Sequence, residues 1–363
     1  MTPSHSGTKS AERSAPITLF LCGDVMTGRG IDQALPHPSD PVLYEPHVRD
    51  ARQYVELAED LNGPIPRPVG FDYIWGDALA ELERRAPHAR IVNLETSVTT
   101  SNDRWRGKGI HYRMHPGNLP CLTAAGIDCC VLANNHVLDW GYAGLAETVQ
   151  SLREVDIGTA GAGGSMAEAR APARIDVPDG RRVWVFSFAA ESSGVPDEWA
   201  AREGRPGMNR LPDLSEGTVR EIKQQVRAVK RSGDIALASI HWGGNWGYGI
   251  PQRQVVFAHG LIDTAGIDIV HGHSSHHVKG FEVYRGKLVL YGCGDFLTDY
   301  EGISGHEHYR DDLGLMYFVR VAPDSGKLVG LEMVPTQILR FRLHRASESD
   351  RRWLLDVLNR EGR

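Results

Sequence analysis

The chain lacks the features that would commit it to nucleic acid, a membrane or a disulfide scaffold. Its 363 residues carry a formal net charge of −6, and no long lysine- and arginine-rich run breaks the mixture. Without a basic footprint there is little to neutralise a phosphate backbone or an anionic bilayer. The apolar run ITLFLC is too short for a membrane span, which needs about 20 residues. The N-terminal segment MTPSHSGTKSAERSAP is polar and has no apolar core of the kind a secretory signal requires. Cysteine is scarce, with five residues (Cys22, Cys121, Cys129, Cys130, Cys293) and no CxxC pair. Each lies in or beside an apolar run, which fits reduced thiols in a cytoplasm. Cys293, in YGCGDF, reads as a small buried hydrophobe before it reads as a nucleophile. Tandem repeats and low-complexity tracts are also missing. These absences predict a disordered tail over residues 1–16 and a cytoplasmic protein with neither nucleic acid nor membrane as partner.

What is present is ordinary globular material, 41% hydrophobic and 24% charged, enough to bury a substantial core. Apolar, β-branched runs recur at 17–22, 90–95, 129–134, 181–188, 234–240 and 267–272. Helix-like stretches at 73–86, 142–155, 215–232 and 252–266 stand between many of them, the last closed by Gly266 as a C-cap. This alternation predicts an α/β fold with a buried sheet and covering helices. Beyond residue 281 a hairpin turning at Arg285–Gly286 and the runs MYFVRVA and LVGLEMVP imply a second sheet. Residues 36–70, with seven prolines, and residues 99–120 break the alternation and read as surface insertions of the kind that form lids or substrate walls. Residues 17–340 read as one domain and 341–363 as a C-terminal helix.

The carboxyl ends of the buried strands carry the chemistry. They deliver Asp24, then Glu95, then Asn134–Asn135–His136, then His241 and finally His271–Gly272–His273, followed by His276 and His277. Taken singly, each has a plain reading: Asp24 as a turn cap, Glu95 as an arginine partner, Asn135 as a loop brace, His241 as a satisfied histidine. Five strand ends with such side chains are different. Open α/β sheets bind ligands at this edge, and buried oxygen and imidazole donors crowded together repel or go unsatisfied unless a divalent cation binds them.

The blocks GDVMTGRG, NLETSVT, LANNHVLDWGYAGLAET, SIHWGGNW and VHGHSSHHVKGFEVYRGKLVLYGCGDF, in this order over roughly residues 17 to 300, resemble the CapA-like (poly-γ-glutamate capsule biosynthesis) family of the calcineurin-like metallophosphoesterase superfamily. The resemblance implies a four-layer α/β/β/α sandwich holding two divalent metal ions, of manganese, calcium, zinc or iron. It places Asp24, Glu95, Asn135, His241 and His273 as ligands, with His271 or His276 completing the set and His136 as acid or base. Asp24 and Asp295 are further catalytic candidates. The chain departs from the family pattern at Met26, where a histidine is usual, at GHSSH, and at GCGDF, where Asp295 replaces a neutral amide.

Arg29, Arg106, Lys108, Arg113 and Trp242 are the candidates for substrate binding, with Trp105, His111, Tyr112 and Trp246 as possible pocket walls. Asp139 and Asp299 are candidates for a place behind the ligands, and His277, His306 and His308 are read as outside the site. A soluble branch resembling this family epimerises lasso-peptide precursors, and the missing export signal, Asp295 and the long insertions are compatible with that role. The expected function is therefore a metal-dependent peptide Cα epimerase with a peptide or glutamyl-containing substrate. The alternatives are a poly-γ-glutamate biosynthesis protein or hydrolase of γ-glutamyl amides or phosphoesters, and a noncatalytic metal-binding scaffold.

Overall fold

A computed structural model of the chain describes residues 15–362, so the tail expected over residues 1–16 lies almost wholly outside the described residues. The six apolar runs become strands, but they divide between two sheets. Ile17–Val25, Ala89–Leu94 and Cys129–Val131 lie parallel in an eight-stranded sheet. Arg181–Ala189, Ile235–His241 and Ile269–His273 lie parallel in a six-stranded one. The strands beyond residue 281 are not a sheet of their own. The hairpin Phe281–Tyr284 and Lys287–Leu290 extends the six-stranded sheet, whereas Leu313–Ala322, Lys327–Leu339 and Arg342–Arg345 extend the eight-stranded one. The hairpin turn falls at Arg285 (φ 50°) and Gly286 (φ 80°), the left-handed pair that a two-residue turn of this hand needs.

The central strands are apolar on both faces because both faces are covered. In Ile17–Val25, Leu19 and Leu21 point to the inter-sheet core, where they join Ile91, Val131, Val183, Val185, Ile235, Leu237 and Ile269. Phe20 and Cys22 point the other way, with Leu82, Leu145, Val149 and Leu152 of the helices Ala78–Arg85 and Gly141–Glu154. On the far side, Phe186, Ala236, Ala238 and Val270 pack on Val219, Ile222 and Val226 of Glu216–Val229 and on Val255 and Ala258 of Gln252–Gly260. The result is helix, sheet, sheet, helix, the four-layer α/β/β/α order implied by the resemblance.

The C-terminal segment differs from expectation at its start. Residues 342–345 form a strand, and the helix is Glu348–Glu361, capped by the Ser347 hydroxyl; its Leu354 and Leu358 enter the inter-sheet core. Residues 36–70 contain the helix Arg52–Asn62, and Arg113–Met114 of the second insertion pairs with Ser97–Val98. All five cysteines are buried and free. Among the described residues, no helix is long and apolar enough to cross a membrane.

One close approach fixes the edge where the strand ends meet. A Cβ on Gly23 would lie 1.9 Å from the carbonyl oxygen of Gly294, so glycine alone lets Ile17–Val25 lie against Asp295–Leu297. Gly23→Ala is expected to destabilise the fold by about 1–3 kcal/mol, the usual cost of overpacking. Gly244→Ala, whose Cβ would meet nothing within 4 Å, is expected to leave stability unchanged; urea denaturation compares the two.

Candidate metal centre

The centre is assembled by register. Ile235–His241 and Ile269–His273 run parallel with His241 opposite His273, and the two rings face each other with Nδ1 atoms 2.8 Å apart. In the other sheet Asp24 stands opposite both Asn93 and Asp295. The two edges meet across the inter-sheet core. Asp24, His241 and His273, all buried, each offer a donor atom, and these atoms lie within 4.8 Å of one another. Around them, Asn135 Oδ1 is 2.9 Å from His241 Nε2, and Glu95 Oε1 is 3.6 Å from the same nitrogen. Asn93 Nδ2 donates to Asp24 at 2.7 Å and to Glu95 at 3.2 Å. Ser274, held at φ 100°, turns its amide N–H onto Asp24 Oδ2 at 3.1 Å.

The charges favour either protons or a cation on the carboxylates. Burial, and then the neighbouring Asp295, push Asp24 up to about 7. Burial, Asp24 and Asp295 push Glu95 well above the usual carboxylate range. Burial also holds His241 and His273 well below the usual histidine range, so both present lone pairs. Two nitrogens 2.8 Å apart share at most one proton, and the carboxylates around them ionise only against one another. Neutral imidazoles with crowded, desolvated carboxylates are a donor set that suits a divalent cation. The residues present therefore fit the metal implied by the resemblance, with Asp24, His241 and His273 as the nucleus and Glu95 and Asn135 extending it.

His136 is arranged for proton transfer. Its Nδ1 lies 2.6 Å from Asp139 Oδ2, its Nε2 lies 3.8 Å from Glu95, and burial pushes it down to about 4 against the opposing pull of Asp139. Lys108 reaches in from the second insertion to donate to Asp139 and to the Asn135 carbonyl. Asn134 locks this turn: its Nδ2 donates to the Leu94 carbonyl at 2.9 Å, and its Oδ1 accepts from the His136 N–H at 3.1 Å. A second histidine–carboxylate pair stands nearby, with His276 Nδ1 3.0 Å from both oxygens of Asp295. Burial works against charge on His276, yet Asp295 raises it above the ordinary histidine value.

Several candidates are placed elsewhere. Both ring nitrogens of His271 are committed, to the Cys22 carbonyl at 2.8 Å and the Ser239 hydroxyl at 3.0 Å, so it has no lone pair for a metal. Arg29 is buried, and its donors are taken by Asp299, Glu45 and Tyr54, so it fastens the first insertion. Arg113 is held by Ser101, Asn102 and Asp40 and lies 4.0 Å over Trp140. Trp242 donates to the Tyr291 carbonyl and sits in the core beneath the helices. Arg106 is exposed. Burial raises the Cys293 thiol far above its ordinary value, which removes the nucleophile reading. Asp139 stands behind His136, whereas Asp299 is taken up by Arg29 and the Gly30 amide. Ser239, whose hydroxyl bridges His271 and His273, and Tyr300, whose ring edge meets His276, were missed; the alternation along 235–241 places Ser239 on the same face as His241 and signals the first.

The model of the family described as bacterial capsule synthesis protein PGA_cap matches residues 18–300. The chain is similar to a probable polyglutamine synthesis accessory protein of Mycobacterium tuberculosis, 51% identical over 96% of this chain and 91% of that one. It is 26% identical to the PGA biosynthesis protein CapA of Bacillus subtilis, over 84% of this chain and 68% of that one. Among solved structures, a phosphatase of Mycoplasma pneumoniae aligns with TM-score 0.48 and 10% identity, covering 96% of this chain and 100% of that one. These names speak of polymer synthesis and phosphatase activity, and none of epimerisation.

Two outcomes follow from the electrostatics. Because a proton competes for Asp24 up to about pH 7, manganese(II) affinity is expected to fall about tenfold per pH unit below 7 and to level off above it. Calorimetry in buffers of different ionisation enthalpy measures both the affinity and the proton released. Arg29→Met leaves two buried carboxylates uncompensated and is expected to cost about 3–5 kcal/mol of stability, read by chemical denaturation; intact stability with weakened substrate binding would restore a substrate role.

Proposed function

Because the chain belongs to the bacterial capsule synthesis protein family, PGA_cap, we propose that it is a metal-dependent hydrolase of glutamyl-containing chains that serves poly-glutamate or polyglutamine synthesis. The observation that carries this reading is the convergence of Asp24, His241 and His273 beside a neutral, carboxylate-backed His136. A bound divalent cation supplies Lewis acidity and a nucleophile drawn from water at neutral pH. The rest falls to the chain's own side chains. Asp139 Oδ2 lies nearer to His136 Nδ1 than Lys108 Nζ does, 2.6 Å against 2.9 Å, and with the Nδ1 proton donated to that carboxylate in a hydrogen bond the Nε2 lone pair faces the centre to take a proton and return it to a leaving amine. Lys108 holds Asp139 and the Asn135 backbone in place, so the pair is preorganised only while the second insertion is docked. The same site, with its second pair His276–Asp295, has two acid–base groups, and this supports Cα epimerisation as the second reading.

The metal-loaded protein, given γ-glutamyl oligomers in 18O water, is expected to release shorter chains carrying one heavy oxygen per cleavage. His136→Ala is expected to slow this by about 10²–10⁴-fold. One deuterium gained in D2O without cleavage would support epimerisation instead. If neither product forms and His136→Ala changes nothing, the protein is a scaffold.

A further inference from the structure

Tyr112 is fully buried, yet its hydroxyl has no hydrogen-bond partner. A buried polar group left unpaired is costly, and a native fold keeps one for a reason. Tyr112 has little freedom to move. Its N–H donates to Asp139 Oδ2 at 2.7 Å, its ring meets His136 edge-to-face with centroids 4.7 Å apart, and the Arg29 guanidinium lies 4.3 Å over its centre. The nearest polar group to the Tyr112 hydroxyl is that of Tyr300, close enough for the two phenols to interact but outside good hydrogen-bond geometry. The Tyr300 ring is 5.3 Å from that of His276, and its hydroxyl donates to Met26 Sδ at 3.9 Å, a weak acceptor. Two phenolic protons thus stand between His136 and His276 with no good acceptor provided by the fold. The Arg29 guanidinium lies over both rings, 4.3 Å from one and 5.6 Å from the other, and holds them in place while its charge is matched by Asp299 and Glu45.

We propose that the Tyr112 and Tyr300 hydroxyls together donate hydrogen bonds to an anionic oxygen of the substrate, a carboxylate or phosphoryl oxygen, at the metal centre. The assignment rests on the metal-dependent reading above and names the group that recognises the substrate's anionic end. The fold leaves the acceptor side of both phenolic protons open, and a charged oxygen is the acceptor that fills it best.

The test uses the full chain, with Tyr112→Phe and Tyr300→Phe, loaded with manganese(II). Calorimetry measures affinity for manganese(II) itself, then for orthophosphate and for glutarate separately, which distinguishes phosphoryl from carboxylate recognition. Manganese(II) affinity is expected to stay within about twofold in all three proteins, and affinity for the preferred anion to fall about tenfold in each variant. Melting temperature is expected to hold or rise in Tyr112→Phe, because the hydroxyl removed is unpaired. Anion binding unchanged in the variants, or a wild type that binds manganese(II) but neither anion, overturns the clamp alone. A wild type that binds no manganese(II) overturns the metal reading and the clamp with it. If Tyr112→Phe fails to fold, its hydroxyl is structural and the paired clamp is overturned; Tyr300→Phe then decides whether a single donor remains.

Discussion

Asp24 and Asp295 stand side by side in adjacent parallel strands, both buried, with Glu95 close by. Like charges in a dry interior repel strongly, and the surroundings are organised around that repulsion. Asn93 and the Ser274 amide donate to Asp24, His276 pairs with Asp295, and two neutral histidines complete the ring of donors. Remove the carboxylates and the left-handed Ser274 loses its cause. Leave them without a cation, and protons must take its place.

The two insertions depend on the same centre. Arg29, four residues after the last residue of Ile17–Val25, draws Glu45 and Tyr54 of the first insertion towards Asp299, just beyond Asp295–Leu297. Asp32 then accepts from the Ser39 and His115 amides and from Asn118, which ties the first insertion to the second. Lys108 of the second insertion closes on the His136–Asp139 pair. A chain of charge pairs and hydrogen bonds to buried carboxylates therefore connects the loops to His136. Such chains are expensive to break in the middle.

Much of this was legible in the sequence, for a definite reason. Strands buried on both faces read as continuous apolar runs, so the donors at their ends stood out as polar residues where apolar ones stop; Asp24, Glu95, Asn135, His136, His241 and His273 were found that way. The division into two sheets was not legible, because apolar runs carry no record of which neighbour they pair with. The arginines misled for a related reason. Arg29 and Arg113 sit close to the site in sequence and carry the charge that substrate recognition needs, but their partners Asp299, Glu45 and the Ser101 and Asp40 carbonyls are set by long-range packing. His271 and His276 are five residues apart in one block, and the long-range partners of His271, the Cys22 carbonyl and the Ser239 hydroxyl, distinguish them.

Pairing order carries a consequence for how the molecule is made. Ile17–Val25 sits inside its sheet between Ala89–Leu94 and Leu313–Ala322, with Ile17 opposite Val321. During synthesis Ile17–Val25 thus waits about three hundred residues for its neighbour Leu313–Ala322, and closing so long a loop is slow. Until then one flank of that strand is an unpaired apolar edge, the kind that invites association with other chains. Synthesis nearly to the C-terminus is a precondition for closing the sheet that holds Asp24, so an interrupted chain is exposed to aggregation before it is competent to bind anything.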